Sequence, residues 1–383
     1  MTSELSPEEI LRYSRQLVLP EIGLQGQSKL KEASVLIVGC GGLGSPIALY
    51  LAASGIGRIG IVDYDSIELS NLQRQVIHIS EDIGKSKVDS AHERMLAINP
   101  EIRVDAYNEL FTSQNAEKIS APYNILIDGT DNIPTRYLIN DLCVFSGKPY
   151  VYGAVYRFFG QVAVFDSTKG ACYRCIFPEP PLPESVPSCA VAGVVGVLPG
   201  TIGLLQATEV IKLVLGIGSP LISQLLLYDA LDSTTSKVKL NKNPDCKVCG
   251  NHPTVTHLID YEQFCNMSIR NHEIFEENNH SISAVKLKEK IKSGQTFRLI
   301  DIREPVELQI SMIPEAENVP FHRLAEEIKK WDKSQPIVLI CYIGFLSAVA
   351  RSMLAVAGFK DVKNLKGGMH AWSREADSLM NIY

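Results

Sequence analysis

The sequence lacks the features of several protein classes. It contains no apolar run of roughly 18 residues or more, and its opening text, MTSELSPEEI, is acidic rather than signal-like. It also lacks an excess of positive charge, since 37 Lys and Arg stand against 43 Asp and Glu, a net charge of −6. These absences argue against membrane, secreted and nucleic-acid-binding proteins. We therefore expect a cytoplasmic protein that binds neither nucleic acid nor membrane.

The composition is otherwise that of a folded chain. Of 383 residues, 45% are hydrophobic and 21% are charged, with 27 Gly and 20 Pro, which excludes collagen-like, low-complexity and disordered chains. The length leaves room for two or three domains of about 100–200 residues each. Disulfides are rare in the cytosol, so the nine cysteines need another explanation.

Alternating strands and helices predict an α/β fold for the first part of the chain. A doubly wound parallel sheet is the usual result of such alternation, so we expect a nucleotide-binding domain. Two short strands around Gly160, within residues 150–165, predict an antiparallel addition and hence a mixed sheet. The remaining predicted elements are strands at Val35–Val38, Ile59–Val62 and Ile125–Asp128 and helices at Pro46–Ala53, Lys85–Ile98 and Thr201–Leu215.

Changes in composition predict the domain boundaries. Polar text at residues 241–253 ends a first domain that we place at 1–253, and a linker with weak structure follows at 254–280. A second, smaller α/β domain is expected over 281–383. Residues 178–188 contain five prolines and predict an extended loop within the first domain.

A glycine-rich turn, GCGGLG, lies directly between a predicted strand and a predicted helix. Its glycines are Gly39, Gly41, Gly42 and Gly44. Small residues there let backbone N–H groups approach a phosphate at the positive end of a helix. Asp63 closes the next strand roughly twenty positions on, where a ribose hydroxyl would be bound. The pattern alone leaves open a nicotinamide dinucleotide or a turn without a ligand.

Polar residues downstream favour a triphosphate over a dinucleotide. Residues 71–75, NLQRQ, are followed by Lys85 and Lys87 and then by the loop at 129–132, GTDN. Two cations would neutralise a triphosphate, and a loop carboxylate would hold Mg²⁺. No GKT or GKS sequence is present, so this is not a P-loop. A NAD-dependent oxidoreductase remains an alternative, but it leaves these cations unexplained.

These motifs together resemble the ubiquitin-activating-type adenylating enzymes of the MoeB/ThiF family over about the first 250 residues. The matching text is RYSRQ (12–16), VLIVGCGGLG (35–44), DYDSIELSNLQRQ (63–75), DGTDN (128–132), CYRC (172–175) and NPDCKVCG (243–250).

The resemblance implies a role for each polar residue of this region. Asp63 would hold the ribose, and Asn71 and Arg74 would contact the phosphates. Lys87 would compensate charge on the leaving pyrophosphate, and Asp131 would hold Mg²⁺ and face the adenylated carboxyl terminus. Besides the four glycines, the expected ATP-binding set comprises Arg15, Asp63, Asp65, Asn71, Arg74, Lys87, Asp131 and Asn132.

The resemblance also implies the reaction and its partners. The C-terminal glycine carboxylate of a small ubiquitin-like sulfur carrier (MoaD/ThiS-like, ending in Gly-Gly) would attack the α-phosphate of ATP, and pyrophosphate would leave. Positioning and charge neutralisation do most of the catalysis in such a step, which makes Arg74 and Asp131 candidate catalytic residues. Arg15 would reach the nucleotide of the opposite subunit, which implies a homodimer.

Four cysteines form two CxxC pairs, Cys172 with Cys175 and Cys246 with Cys249. In a cytosolic chain this pattern predicts a tetrahedral zinc site of four thiolates, with no open position and hence a structural role. The alternatives are two unrelated pairs or a redox CxxC.

One further cysteine in the first domain is a candidate for chemistry. Cys189 follows the proline-rich loop, and a thiol on a mobile segment could capture the activated acyl group. An apolar packing role is the alternative, because thiol reactivity depends on surroundings that sequence does not show. We expect Cys40, Cys143 and Cys265 to be packing residues.

Residues 281–383 resemble a rhodanese domain. Cys341 ends a predicted strand, and the loop after it opens a helix whose N–H groups would favour a thiolate or persulfide. A buried cysteine at a strand end is the alternative. The matching text is Leu299–Pro305, Glu317–Pro320, Cys341-x-x-Gly344-x-x-Ser347 and Leu365–Gly368 with Trp372.

The rhodanese resemblance has one departure. Tyr342 and Leu346 stand where rhodanese loops usually carry arginines. Without those cations, the sulfur donor is expected to be a protein persulfide, as from a cysteine desulfurase, unless the domain is an inert partner-binding scaffold. The two units together resemble the MoeZ-type adenylyltransferase/sulfurtransferases. Molybdenum cofactor, thiamin, cysteine and tRNA thiolation all remain open as the pathway, because the carrier protein determines it.

Overall fold

The computed structural model describes residues 4–180, 193–266 and 280–380. The described residues form two compact units, the first reaching to Cys265 and the second beginning beyond it.

The first unit is built on one eight-stranded sheet with strand order β3-β2-β1-β4-β5-β6-β7-β8. The pairs from β3 through β5 are parallel, and the pairs from β5 through β8 are antiparallel. The predicted mixed sheet is therefore confirmed. The strands are β1 (Ser34–Val38), β2 (Arg58–Val62), β3 (Arg103–Tyr107), β4 (Ile125–Asp128), β5 (Tyr150–Tyr156), β6 (Phe159–Phe165), β7 (Gln224–Asp229) and β8 (Thr234–Lys239).

Helices connect the strands of this unit. Several begin or end at residues whose chemistry explains the boundary: Ser6 and Glu9 form a reciprocal capping box, and Gly55, Gly147 and Gly216 end helices in the left-handed conformation. The helices are α1 (Pro7–Arg12), α2 (Ser14–Leu17), α3 (Gly23–Glu32), α4 (Gly44–Ser54), α5 (Lys87–Ile98), α6 (Ala116–Ser120), α7 (Ile133–Ser146), α8 (Tyr173–Ile176), α9 (Val197–Leu215) and α10 (Tyr261–Asn266).

The apolar core lies on both faces of the sheet. Strands β1 and β4 are almost wholly buried, as expected for central parallel strands that are covered by helices on both sides. One cluster of buried side chains packs under α4, α5 and α9, and a second packs around α7 and α8.

Gly160 corrects one prediction. The turn of the hairpin does not lie at Gly160 but at Arg157 and Phe158, and Arg157 has a φ of 52°. Gly160 lies inside β6, and a Cβ there would overlap the end of the Ile202 side chain on α9. The glycine is therefore required by the close approach of a helix and not by a turn.

Helix α9 begins at Val197, four residues before the predicted start. Its length and apolar composition are those of a membrane-spanning helix. Among the described residues it is the one helix long and apolar enough to cross a membrane by length and composition, and 44% of its apolar window is buried. It packs on α3, α4, β5 and β6. This packing is that of a core helix.

The stretch after residue 253 also differs from the predicted linker. Residues 261–266 form α10, which packs onto the first unit. The Tyr261 hydroxyl donates to Asp141 Oδ2 at 2.8 Å, and the Phe264 ring lies 4.5 Å from the Arg174 guanidinium carbon. The stretch is polar in composition, but its aromatic residues Tyr261 and Phe264 pack against α7 and α8.

The second unit is a five-stranded sheet of order β11-β10-β12-β13-β9 in which every adjacent pair is parallel. Together with the first unit it confirms the predicted α/β fold class. Its elements are β9 (Ser281–Ile282), α11 (Ala284–Lys292), β10 (Arg298–Asp301), α12 (Pro305–Leu308), β11 (Glu317–Asn318), α13 (Phe321–Glu327), β12 (Ile337–Ile340), α14 (Phe345–Val356), β13 (Val362–Leu365) and α15 (Gly368–Glu375).

Candidate nucleotide and thiol sites

The glycine-rich turn lies at the carboxyl end of β1, where the strand order of the sheet reverses. Strand β1 is paired with β2 on one side and with β4 on the other, so the loops after β1 and β4 meet at one edge. Such a switch point is where open α/β sheets bind ligands.

Backbone packing requires three of the glycines at this edge. Gly39 has a φ of 94°, and a Cβ on it would lie 2.7 Å from the carbonyl oxygen of Gly129 in the loop after β4. A Cβ on Gly44 or on Gly129 would overlap the carbonyl oxygen of Gly39. The two loops therefore cross at a distance that only glycine permits.

Gly41 is different, because the fold itself leaves room for a side chain there. The nearest atom to a Cβ on Gly41 would be Gln75 Nε2 at 3.7 Å, which is an ordinary contact. A glycine that the protein does not need for its own packing fits a backbone that a ligand approaches closely. Gly42 is intermediate, since its Cβ would lie 3.0 Å from Pro199 Cβ on α9.

Asp63 is held at the end of β2 by backbone groups. Its Oδ2 accepts from the Cys40 N–H at 2.7 Å, and its Oδ1 accepts from the Asp65 N–H at 2.9 Å. Burial raises the pKa of Asp63, and the nearby Lys87 charge opposes that rise. The carboxylate thus lies beside the glycine turn.

Lys87 is 6% exposed and donates to Asp65 Oδ2 at 2.7 Å. Burial acts to lower the pKa of Lys87, but the carboxylates of Asp63 and Asp65 outweigh it and the pKa is raised. The ammonium therefore stays charged. Lys85, the other cation predicted to neutralise a triphosphate, pairs instead with Asp82 at 2.7 Å.

The segment at residues 71–75 lies against the glycine turn. Arg74 Nη1 donates to the Ser70 carbonyl at 3.1 Å, and within the described residues no carboxylate forms an ion pair with Arg74. Its Cγ lies 3.4 Å from the position of a Cβ on Gly42. The Asn71 Oδ1 accepts from the Glu68 N–H at 3.1 Å. The Arg74 charge is therefore available to a ligand at the turn.

Gln75 was missed by the sequence analysis. It is 4% exposed, and its buried Oε1 has no hydrogen-bond partner among the described residues. A buried polar atom without a partner usually marks a place that a ligand or water occupies. The sequence signal was only its position next to Arg74.

The loop after β4 presents Asp131 to solvent. It is shaped by Asp128, whose carboxylate is fully buried and accepts from the Thr130 N–H at 2.9 Å and from the Tyr150 hydroxyl at 2.9 Å. Burial raises the pKa of Asp128, and Arg136 opposes this at 3.3 Å. Asp128 is therefore a buried support, while Asp131 is exposed.

Asn132 and Arg15, two of the predicted ATP-binding residues, do not point to the glycine turn by their contacts. The Asn132 Oδ1 accepts from the Thr135 N–H at 2.9 Å and caps α7, so the side chain has a structural role. Arg15 is exposed on α2, and no hydrogen bond or ion pair joins it to another residue of the described chain. Within one described chain, therefore, no contact of the Arg15 side chain holds it beside the glycine turn.

The four paired cysteines lie together. Their Sγ atoms are all within 4.8 Å of one another. Cys172 Sγ is 3.8 Å from Cys175 Sγ and 3.6 Å from Cys246 Sγ, and Cys175 Sγ is 3.4 Å from Cys249 Sγ. A tetrahedral zinc with Zn–S distances of about 2.3 Å separates its sulfurs by about 3.8 Å, so the cluster has the size for a metal ion.

The second unit holds Cys341 at the end of β12 beside the first turn of α14. The Ser347 N–H donates to Cys341 Sγ at 3.2 Å, and the Ser347 hydroxyl lies 3.3 Å from the sulfur. Gly344 has a φ of 88°, and a Cβ on it would lie 2.7 Å from the Gly367 nitrogen. The loop thus wraps the thiol in backbone amides.

Burial decides the charge of this thiol. Cys341 is 3% exposed, and burial raises its pKa even though N–H groups of Ser347, Gly344 and Leu346 act to lower it. The N–H groups thus act in the predicted direction, toward the thiolate, but burial outweighs them for the free thiol.

Leu346 and Tyr342, the two residues that stand where rhodanese loops usually carry arginines, make apolar and aromatic contacts. Leu346 packs against the same apolar cluster as Cys341, and the Tyr342 ring lies 6.4 Å from the His370 ring. Cys189 lies outside the described residues, as does most of the proline-rich loop.

A glycine turn at the switch point of a doubly wound sheet, with Asp63, Lys87 and Arg74 around it, defines a nucleotide-binding α/β unit. A parallel sheet with an amide-wrapped cysteine defines the second unit. The sequence matches the ThiF family over residues 13–248 and the rhodanese-like domain over residues 283–375. The chain belongs to the ThiF family and carries a rhodanese-like domain, which confirms both resemblances.

Named proteins that are similar to this chain belong to the same kinds of enzyme. The chain is 43% identical to the probable adenylyltransferase/sulfurtransferase MoeZ of Mycobacterium tuberculosis, with 100% of this chain and 97% of that protein covered. It is 52% identical to the sulfur carrier protein adenylyltransferase of Thermus thermophilus over 68% of this chain and 98% of that protein. The crystal structure of E. coli MccB with ATP is similar at a TM-score of 0.56 and 27% identity, covering 63% of this chain and 75% of that chain.

The burial of Cys341 gives a testable pH dependence. Because a raised pKa means that the thiolate forms only at higher pH, we expect alkylation of Cys341 by iodoacetamide to reach half its maximal rate at a higher pH than an unstructured peptide cysteine. Peptide-resolved mass spectrometry across a pH series measures this, with Cys341→Ser confirming the labelled site. A midpoint at or below that of the peptide would contradict the burial argument.

Proposed function

We propose that the first unit adenylates the C-terminal glycine carboxylate of a small ubiquitin-like sulfur carrier (MoaD/ThiS-like) and that the second unit converts the adenylate into a thiocarboxylate. The observation that carries the proposal is the meeting of the glycine turn, Arg74 and Lys87 with the exposed Asp131 loop at one edge of the sheet. The names of the M. tuberculosis and T. thermophilus relatives support it.

ATP would bind along this edge. The ribose would hydrogen-bond to Asp63, which the Cys40 and Asp65 N–H groups hold in place. The phosphates would lie against the turn at Gly41, where the backbone is open, with the positive charges of Arg74 and Lys87 beside them.

The adenylation step asks for charge neutralisation more than covalent help. A carboxylate oxygen of the carrier attacks the α-phosphorus, the bond to the bridging oxygen breaks, and its electron pair leaves with pyrophosphate. Arg74 and Lys87 stabilise the charge on the departing oxygens. Mg²⁺, when bound, would supply further neutralisation of the phosphates, and the exposed carboxylate of Asp131 fits its preference for oxygen ligands.

The sulfur step would use Cys341. The thiol takes the terminal sulfur of a protein-borne persulfide, such as that of a cysteine desulfurase, and the donor cysteine leaves as a thiolate. The Cys341 persulfide then attacks the acyl carbon of the adenylate, and AMP leaves with the electron pair of its acyl bond. A thiol reductant attacks Cys341 Sγ, releases the carrier thiocarboxylate and forms a mixed disulfide, which a second thiol reduces. Tethering both units on one chain raises the effective concentration of the sulfur.

One carrier assay tests both steps. In carrier-dependent ATP–pyrophosphate exchange, Arg74→Ala and Asp131→Ala are expected to lose about 100-fold or more, because each removes charge stabilisation from the reacting phosphates. Cys341→Ala is expected to keep exchange but to leave the carrier without the mass gain of a sulfur for an oxygen. Arg103→Ala, at an arginine exposed on β3, serves as the control.

Two results would contradict the proposal. Wild-type exchange in both Arg74→Ala and Asp131→Ala would remove the assigned adenylation site. Undiminished thiocarboxylate formation by Cys341→Ala, measured by mass spectrometry of the carrier, would leave the second unit as an inert scaffold. Running the assay with several candidate carriers would identify the pathway.

We propose that the four-cysteine cluster holds a structural zinc ion. Four thiolates at these separations form a closed tetrahedral set without an open position. Freshly purified protein is expected to contain one zinc per chain, and Cys246→Ser is expected to lose it together with thermal stability, since zinc binding contributes directly to folding. Cys265→Ala, a buried cysteine outside the cluster, should retain the metal. Elemental analysis showing zinc in Cys246→Ser would contradict the assignment.

We also propose a homodimer in the cytoplasm, where thiols stay reduced. An open groove of about 400 Å³ lies between α2, α4 and α9 and is lined by Gln16, Tyr50 and Leu204 among others. Tyr50 in this groove is 59% exposed, and Arg15 is the chain neighbour of the groove residue Gln16. We propose that a second copy of the chain covers this face and receives Arg15 in its nucleotide site.

Composite sites make a specific prediction for mixed dimers. Arg15→Ala and Arg74→Ala are each expected to lose exchange activity, but their co-expression should restore part of it, because one site of each mixed dimer then has both arginines. Exchange activity of the co-purified pair, with its mass from sedimentation equilibrium, measures this. No restoration in a confirmed mixed dimer would show that Arg15 does not act across subunits.

A further inference from the structure

A buried histidine lies behind the glycine turn, on the side away from the open backbone at Gly41. His78 is 5% exposed and follows the segment that carries Arg74. Its Nε2 lies 3.3 Å from the Cys40 carbonyl oxygen, and its Nδ1 lies 2.9 Å from the Ser90 Oγ on α5. No role in the adenylation described above uses this side chain.

The contact between His78 and the Cys40 carbonyl also fixes the direction of the next backbone N–H. In a planar trans peptide, the carbonyl and the following N–H point in opposite directions. The Cys40 carbonyl is turned toward His78, so the N–H of Gly41 is turned away from the protein interior. The Gly41 carbonyl is likewise held by the Ser45 N–H at 2.9 Å and by the Ser45 hydroxyl at 2.7 Å, which turns the Gly42 N–H outward.

Both outward N–H groups are free in the described structure. Neither the Gly41 nor the Gly42 N–H donates to another described residue. Two adjacent backbone donors directed to the same open side form an anion-binding concavity. Because glycine has no side chain to restrict its peptides, something else must fix their direction.

We propose that His78 is a positioning residue of the nucleotide site: its Nε2–H holds the Cys40 carbonyl so that the Gly41 N–H faces a phosphate of ATP. The inference rests on the proposed adenylation function. It assigns to His78 an effect on ATP affinity and not on the binding of the carrier.

The contact with the Cys40 carbonyl determines which tautomer the proposal requires. A carbonyl oxygen only accepts, so Nε2 must carry the hydrogen, and Nδ1 then accepts from the Ser90 hydroxyl. Burial lowers the pKa of His78, which keeps the ring neutral beside the charged Lys87. The Ser90 hydroxyl also lies in position to donate to Asp82 Oδ2 at 2.8 Å, so Nδ1 and Asp82 compete for its single hydrogen. Asp82 keeps its ion pair with Lys85 when Nδ1 takes that hydrogen.

Two amide substitutions separate the two ring nitrogens. In His78→Gln the side-chain amide reaches the place of Nε2 and still donates to the Cys40 carbonyl, whereas in His78→Asn it reaches only the place of Nδ1. We expect His78→Asn to raise the Kd of ATP about tenfold, the loss expected for one charge-assisted hydrogen bond, and His78→Gln to stay within about threefold of the wild type. Calorimetry on the full chain measures the Kd, and the KM for the carrier should not change.

Several outcomes would overturn the inference. Equal weakening of ATP binding by both variants would show that His78 only fills space, and unchanged binding in His78→Asn would show no role. If His78→Asn does not fold, His78→Met decides, because it matches the length of glutamine but has no donor: a Kd raised relative to His78→Gln supports the inference, and an equal Kd overturns it. A wild-type chain that binds no ATP would instead overturn the proposed function as well.

Discussion

The close crossing of two backbones is the constraint on which both candidate sites depend. In the first unit the carbonyl of Gly39 occupies the space where a side chain of Gly44 or Gly129 would be. In the second unit Gly344 approaches the Gly367 nitrogen in the same way. Each crossing brings the loops of two neighbouring parallel strands together at the carboxyl edge of a sheet, so ligand-binding groups from distant parts of the sequence meet without any long side chain between them. Glycine is therefore required first by packing and only then by chemistry.

A buried ion pair connects the four-cysteine cluster to the rest of the first unit. Arg174 lies between the cluster cysteines Cys172 and Cys175, and it contacts Asp141 of α7 through two hydrogen bonds of 2.8 Å. Charges this deeply buried are stable only when their remaining groups are satisfied, and Tyr261 of α10 completes the set. The cluster, the helix that begins after the Asp131 loop and the stretch beyond residue 253 thus form one polar network. That is why the compact first unit extends to Cys265.

Much of this could be predicted because the motifs are local. The glycine turn, the CxxC pairs and the Cys341 loop each lie within a few residues, and strand–helix alternation then determines which edge of the sheet they share. What could not be predicted depends on contacts between distant residues. Gly160 follows from the approach of Ile202, and α10 follows from the packing of Tyr261 and Phe264. The capping role of Asn132 is local, since its Oδ1 accepts from the Thr135 N–H, but the resemblance had assigned this residue to ATP instead. Gln75 and His78 carry no spacing signal, since their importance arises only where the folded chain surrounds the turn.

The two sites place opposite demands on their charges, which gives the unusual rhodanese loop a physical reason. At the edge that holds the glycine turn, the carboxylates of Asp63 and Asp65 raise the pKa of Lys87 and keep its ammonium charged, as the proposed neutralisation of phosphates requires. Around Cys341, burial keeps the free thiol neutral, and neither Tyr342 nor Leu346 adds a cation that would attract a small sulfur anion. A donor for such a thiol has to bring its own contacts and displace water as it docks, which a protein surface does and a small anion does not. The absence of arginine at both positions is therefore in keeping with the proposed delivery of sulfur by a protein persulfide.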